Sequence, residues 1–459
     1  MFKKFIGDKK FYKALLFIVV PIVLQQFITQ FVALLDNLMV GRVGNDEMIG
    51  VSLGNQLIFV FNLGIFGCLS GASIFATQFF GAQDKDGYQE TMRFKFLMGI
   101  GIFLIALIVF LLFDDQLLGA FINSSEGEFS NPIVVLESGK SYLRIMLIGL
   151  LPFVIKEIYS TSLREMQETM FPMISGVVAI FVNLIINYLL IFGSFGFPKL
   201  GIIGAAVGTV VSRFVEMFLV LIYTHVKANR FKFVKGLFNK PIVSFNSFKR
   251  FIPMTMLLLS NELMWSLGLT MIVQSYSYRG LDVVGALNIC NTVNNVFITV
   301  GTSLGNATAI ILGNLLGAGK NGEAKAASYK ILFASICFST IFACFEIGAS
   351  FLVPNIYNTS DSIKLMARQM IIIASIFLPF HAFNTCCYFT LRAGGKMILT
   401  ILFDSFFVWF VRLPIALIFS KYSALSILIV FGLADGIDAV KAIAGYILVD
   451  KGIWLKKIV

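Results

Sequence analysis

The chain has 459 residues, of which 58% are hydrophobic and only 13% charged. A soluble globule of this length carries about a quarter charged residues, so the composition excludes that class and indicates a membrane protein. The formal net charge is +11, but the basic residues fall mostly in short gaps between apolar runs, which is the positive-inside pattern and not a nucleic-acid footprint.

A spanning helix needs roughly 20 apolar residues to cross a hydrocarbon core of about 30 Å. The basic opening MFKKFIGDKK is followed by no small-residue cleavage site. The run after it is too long for a signal-peptide core, so it reads as a retained first helix. That first segment, 13–40, ends in FVALLDNLMVGRVG, Phe31 to Gly44, and carries Asp36 inside it. At 1.5 Å rise per residue, Asp36 lies about 34 Å beyond Lys13, in the outer half of a membrane. A charge at helix centre costs about 2.5–3.5 kcal/mol on insertion scales. Asp36 is therefore either a helix-end carboxylate paired with Arg42 or a group that handles an ion.

The next segments are 48–80 and 94–113, then an acidic gap with Asp114, Asp115, Glu126, Glu128 and Glu137. The fourth, 136–162, contains adjacent Lys156 and Glu157, which point in different directions and call for partners elsewhere. The fifth, 171–193, places Asn183 and Asn187 four apart, on one helix face. The sixth, 201–226, has Thr209 within GAAVGTVVS. Amide and hydroxyl oxygens around one carboxylate can coordinate Na⁺ or hydrogen-bond a protonated Asp. Interhelical hydrogen bonding alone is the plainer role.

A basic gap follows, with Lys227, Arg230, Lys232, Lys235 and Lys240. The remaining segments are 249–278, 283–316, 327–353, 364–391, 397–419 and 424–448, which brings the count to twelve. In the seventh, Glu262 and Trp265 form an i,i+3 pair that suits an organic cation through charge and ring quadrupole. In the tenth, His381 follows Pro379 and is either a structural hydrogen-bonding residue or a proton carrier. Glu346, Asp404, Asp435, Asp438 and Lys441 are further intramembrane charges, and Asp438 and Lys441 can pair at i,i+3.

Basic residues cluster at Lys3 to Lys13, Lys85 to Lys95, Lys227 to Arg250, Lys320 to Lys330 and Lys451 to Lys457. With twelve spans these share one side, so both termini are expected in the cytoplasm. The halves also resemble each other. FFGAQDKDG, Phe79 to Gly87, answers LLGAGKNGE, Leu315 to Glu323. LREM at 163–166 answers LRAG at 391–394, and Pro21 answers Pro253, at offsets of 228 to 236 residues. The expected fold is an all-α membrane protein of twelve transmembrane helices in two pseudo-symmetric six-helix lobes. The lobes are 1–226 and 249–459, joined by a cytoplasmic basic linker at 227–248. Such a repeat suits a transporter with its site between the halves.

No G-x-x-x-x-G-K-[ST] loop is present, so ATP does not drive this chain directly. The six Cys lie in apolar segments without zinc spacing and read as small apolar filler. Intramembrane carboxylates without an ATPase domain point to secondary transport on an ion gradient.

The residues resemble the multidrug and toxic compound extrusion (MATE) family over nearly the whole chain. The matching pieces are DNLMVGRVG (Asp36–Gly44), ATQFFGAQD (Ala76–Asp84) and NLIINYLLIFGSFGFPKLGIIGAAVGTVVS (Asn183–Ser212). In the second half they are NELMWSLG (Asn261–Gly268), Gly317–Ala318, LRAGGK (Leu391–Lys396) and FVWFVRLP (Phe407–Pro414). The resemblance implies export of organic cations or amphipathic drugs across the cell membrane in exchange for H⁺ or Na⁺. It places the ion-coupling carboxylate on Asp36, with Asn183, Asn187 and Thr209 as the other ligands of a possible Na⁺. Asn187 stands where many members have Asp. Glu262 matches the family's seventh-helix acid, and His381 falls where some members place an Asp. The implied substrate- or proton-binding residues are Glu262, Trp265 and His381.

No catalytic residue and no cofactor beyond the coupling ion is expected. The expected partners are small-molecule drugs or organic cations and the lipid bilayer, without nucleic acid, and the expected working unit is a monomer. The principal alternative is a lipid-linked oligosaccharide flippase of the same superfamily. It would need a basic cavity, for which Arg213 and Arg412 are the candidates. A channel does not need the repeat, and a scaffold does not need the buried charges. A membrane enzyme would need a metal cluster or nucleophile–base pair, and none is readable here.

Overall fold

The computed structural model describes residues 4–123, 131–231, 233–239, 243–357 and 359–459. Lys3, Glu126, Glu128, Lys232 and Lys240 lie outside these residues. The described chain is helical, without strands. Its first half contains α1 (Lys9–Gly41), α2 (Asn45–Gly81), α3 (Lys85–Leu112), α4 (Asp114–Asn123), α5 (Pro132–Ile148), α6 (Leu150–Glu165), α7 (Met170–Phe192) and α8 (Ile202–Val226). The second half contains α9 (Phe245–Ser277), α10 (Leu281–Gly317), α11 (Asn321–Leu352), α12 (Asp361–Ala393), α13 (Met397–Ile401), α14 (Leu413–Tyr422) and α15 (Ile427–Asp450).

Among the described residues, ten helical stretches are long and apolar enough to cross a membrane. The other two predicted segments are helical too, for identifiable reasons. The fourth is broken at Gly149 into α5 and α6. The twelfth, α15, carries Asp435, Asp438 and Lys441 within its apolar sequence and ends on Asp450. The eleventh joins α13 to α14 through two π-helical turns, Leu402–Phe406 and Val408–Arg412. Wide turns of this kind shift side-chain register and are frequent at functional sites. The acidic gap is not simply loop: Asp114 and Asp115 begin α4, where acidic side chains favour a helix N-terminus. Asp114 pairs with Arg144 at 3.0 Å and Asp115 with Lys140 at 2.7 Å.

The internal repeat is visible in backbone hydrogen bonds. Four helices end in the same turn, with a 6→1 and a 5→2 bond. These are Asp84 N–H to Phe79 O (3.0 Å) with Gln83 to Phe80 (3.1 Å), and Lys320 to Leu315 (2.9 Å) with Gly319 to Leu316 (3.0 Å). The other two are Glu168 to Leu163 (3.0 Å) with Gln167 to Arg164 (2.8 Å), and Lys396 to Leu391 (3.2 Å) with Gly395 to Arg392 (2.9 Å). The left-handed position is Gln83 (φ 59°) and Gln167 (φ 65°) in the first half, and Gly319 (φ 74°) and Gly395 (φ 70°) in the second.

The chain forms two compact units, one of residues 24–76 and 85–255, the other of residues 1–23, 77–84 and 256–459. Both changes of unit within α1 and α9 fall two residues after a proline, Pro21 and Pro253. In the first unit, Lys95 and Glu165 form a fully buried pair at 2.5 Å, and the Tyr88 hydroxyl donates to Ser162 O at 2.8 Å. The basic stretch after α8 is docked: Gln89 donates to Phe233 O and Lys235 O, both at 2.8 Å, and Arg93 donates to Leu237 O at 2.8 Å. In the second unit, an apolar core runs through α9, α10, α12, α14 and α15, including Leu287, Met370, Ile371 and Val430. Gln78 ties the end of α12 to the C-terminal stretch, donating to Ala393 O at 2.9 Å and accepting from Ile458 N–H at 2.8 Å.

Candidate functional site

In the first unit, α1, α7 and α8 bring Asp36, Asn183, Asn187 and Thr209 together. The Asn187 amide donates to Asp36 Oδ1 at 2.8 Å. Asn183, one helical turn earlier, is satisfied at both ends when its nitrogen faces Asp36. That nitrogen then lies 3.0 and 3.3 Å from the two carboxylate oxygens, and its oxygen lies 3.2 Å from both Thr209 N–H and Thr209 Oγ1. Both asparagines are buried, and Asp36 is half-buried. Asn187 Oδ1 has no hydrogen-bond partner among the described residues. It faces Gly208 so closely that a Cβ there would collide with it. The Tyr142 hydroxyl donates to Asn55 Oδ1 at 3.1 Å. The carboxylate thus sits among neutral amides, and it forms no ion pair among the described residues.

The second unit holds a denser array. The Tyr388 hydroxyl donates to Glu262 Oε1 at 3.0 Å. Asn261 Nδ2 reaches Tyr388 Oη at 3.3 Å and Asp404 Oδ2 at 3.1 Å, and Ser405 Oγ donates to Asn261 Oδ1 at 2.7 Å. Lys441 lies 3.5 Å from Asp404, and His381 Nδ1 lies 3.5 Å from Asp438 Oδ2. Arg412 pairs with Asp435. Asp435, Asp438 and Lys441 of α15 are therefore each answered by a different neighbouring element. Buried Arg392 leaves Nε and one terminal nitrogen without hydrogen-bond partners among the described residues and lies over the Phe389 ring at 5.1 Å. Glu346 is fully buried, close to Ser375, and neither carboxylate oxygen meets a well-aligned donor among the described residues.

The sequence profile of the MatE family matches residues 21–189 and 257–418, one match in each half. The chain belongs to the MatE family. It is similar to the probable multidrug resistance protein NorM of Thermotoga maritima, 25% identical over 422 residues, covering 91% of this chain and 87% of that one. It is also similar to the probable multidrug resistance protein YoeA of Bacillus subtilis, 23% identical over 89% of this chain and 87% of that one. Among solved structures it shares the fold of an outward-facing multidrug resistance MATE family transporter of the MOP superfamily, with TM-score 0.85, 17% identity and 98% of each chain covered. It shares the fold, too, of a MOP superfamily transporter from Pyrococcus furiosus whose binding pocket is described as reversed in polarity, with TM-score 0.81, 17% identity and 98% and 97% coverage.

Within this MATE chain, the contacts found differ from three of the readings that the sequence allowed. Asp36 is hydrogen-bonded to Asn187, while Arg42 is exposed. Lys156 and Glu157, adjacent in sequence, pair with each other at 2.5 Å, and Lys156 also meets Glu216 at 3.4 Å. Long side chains can converge even when their Cβ vectors diverge. Asp438 and Lys441 take His381 and Asp404 as partners across helices, not each other at i,i+3. Trp265 packs against the apolar core of its unit, and the contacts of Glu262 are with Tyr388. Sequence reading missed Tyr142, Tyr388 and Gly208. Only Gly208 had a signal, its place within the small-residue run GAAVG.

Proposed function

We propose that this chain is a secondary active multidrug efflux antiporter, exporting organic cations or amphipathic drugs in exchange for H⁺ or Na⁺ bound at Asp36. Its working lobes are residues 1–226 and 249–459, joined by the 227–248 linker, and both termini are cytoplasmic. The observation that carries this reading is the Asp36 carboxylate held, among the described residues, by neutral amides, 2.8 Å from Asn187. Ionised Asp36 accepts from both asparagines. A proton on Asp36 removes that charge and supplies a donor for an acceptor such as the unpartnered Asn187 Oδ1. Na⁺ would instead draw amide and hydroxyl oxygens, turning Asn183 and Asn187 about. Either ion changes how α1 meets α7 and α8. It drives export to the extent that it binds one conformation more tightly than the other.

The names of the relatives, NorM and YoeA, support the multidrug substrate class. Glu262 supplies a second acidic site for a cationic drug or proton, positioned by Tyr388. His381 acts with Asp438 rather than alone. The lipid-linked alternative asks for a free basic cavity. Its two candidate arginines are engaged, Arg412 by Asp435 and Arg213 by Gly149 O at 3.3 Å and the Phe153 ring at 5.1 Å. Ethidium efflux from proteoliposomes under ΔpH alone and under a Na⁺ gradient alone, with Asp36→Asn beside the parent, tests the proposal.

A further inference from the structure

The Lys441 ammonium lies 3.5 Å from Asp404 Oδ1, 4.9 Å from the Phe403 ring centroid and 5.3 Å from that of Phe407. A carboxylate with two aromatic faces is what recognises an organic ammonium ion. Here the ammonium belongs to the chain itself. Asp404 stands in the π-helical turn Leu402–Phe406, and its other oxygen accepts from Asn261 at 3.1 Å. Asn261 reaches Tyr388 at 3.3 Å, and Tyr388 donates to Glu262 at 3.0 Å. Asp404 and Lys441 are largely buried, with side chains 16% and 9% exposed.

We propose that Asp404, Phe403 and Phe407 form an ammonium-binding site that Lys441 fills as a tethered ligand, so that neither Na⁺ nor a drug cation enters there. Removing the lysine side chain opens the site to a free primary alkylammonium. The tether keeps the ammonium at high effective concentration, so Asp404 is neutralised without an ion from solution. The second half then meets substrate at Glu262, linked to the filled site by Asn261 and Tyr388. Only this last consequence rests on the antiporter reading; occupancy of the site does not.

The test uses full-length Lys441→Ala in nanodiscs, with n-propylammonium as the probe, because it restores the deleted methylenes and charge. Saturable binding and a raised unfolding temperature are expected, with at least about tenfold tighter binding to the variant than to the parent. n-Propanol, of similar size and uncharged, should have neither effect, and Lys441→Ala with Asp404→Asn should not respond to the amine. Equal response of parent and variant, or an undiminished response in the double variant, overturns the proposal. If the alanine variant does not fold, it is expressed with propylammonium in the medium. Recovery of folded protein supports the site, and no recovery overturns it. These readouts need no ion gradient, so failed antiport and a failed ammonium site remain distinguishable.

Discussion

Among the described residues Asp36 is held inside its helix by the amides of Asn183 and Asn187, and its chemistry follows from that. Replacing Asn187, which donates to it at 2.8 Å, with Asp would set a second carboxylate beside the first. Like charges at that distance resist joint ionisation unless a cation joins them. Asn187→Asp is therefore expected to bind Na⁺ more tightly than the parent, read as a larger Na⁺-dependent rise in unfolding temperature. Gly208 matters through what it lacks. A Cβ there collides with Asn187 Oδ1, so Gly208→Ala should displace Asn187, cost about 1–3 kcal/mol of stability and impair ion-driven export. Thermal unfolding and proteoliposome efflux check the two parts. The Asn183–Asn187 pair was legible because i,i+4 spacing fixes a shared face. The partners of Lys441 and Asp438 were not, because periodicity orders residues along one helix and does not say which neighbour faces them.

At the scale of elements, twelve apolar runs were readable and all twelve are helical, since length and hydropathy suffice for existence and type. The break at Gly149 and the π-helical turns before α14 had no clear sequence signal. The four matching helix ends give a prediction of their own. Gln167 takes the left-handed position that Gly395 takes in the second half, at φ 65° and 70°. A non-glycine residue there costs on the order of 1 kcal/mol or more, partly offset by the flexibility glycine adds to the unfolded chain. Gln167→Gly should stabilise the protein by about 0.5–1 kcal/mol, seen as a higher unfolding temperature with export unchanged. Gln83→Gly, at φ 59°, should do the same independently.

For the whole molecule, the half-chain repeat was legible in short matching turns, and the family profile falls once on each half. The halves differ around these carboxylates. The first keeps Asp36 among amides, while the second answers Asp404, Asp435 and Asp438 with Lys441, Arg412 and His381. This asymmetry supports the proposal that ion coupling lies in the first half, at Asp36. The most direct measurement is ethidium efflux from proteoliposomes, driven by ΔpH alone or by a Na⁺ gradient alone, with the parent and Asp36→Asn. Efflux that follows one gradient and is lost in Asp36→Asn, with the variant still folded, is the predicted result. Gradient-driven efflux that persists at the parent rate in Asp36→Asn would contradict the account.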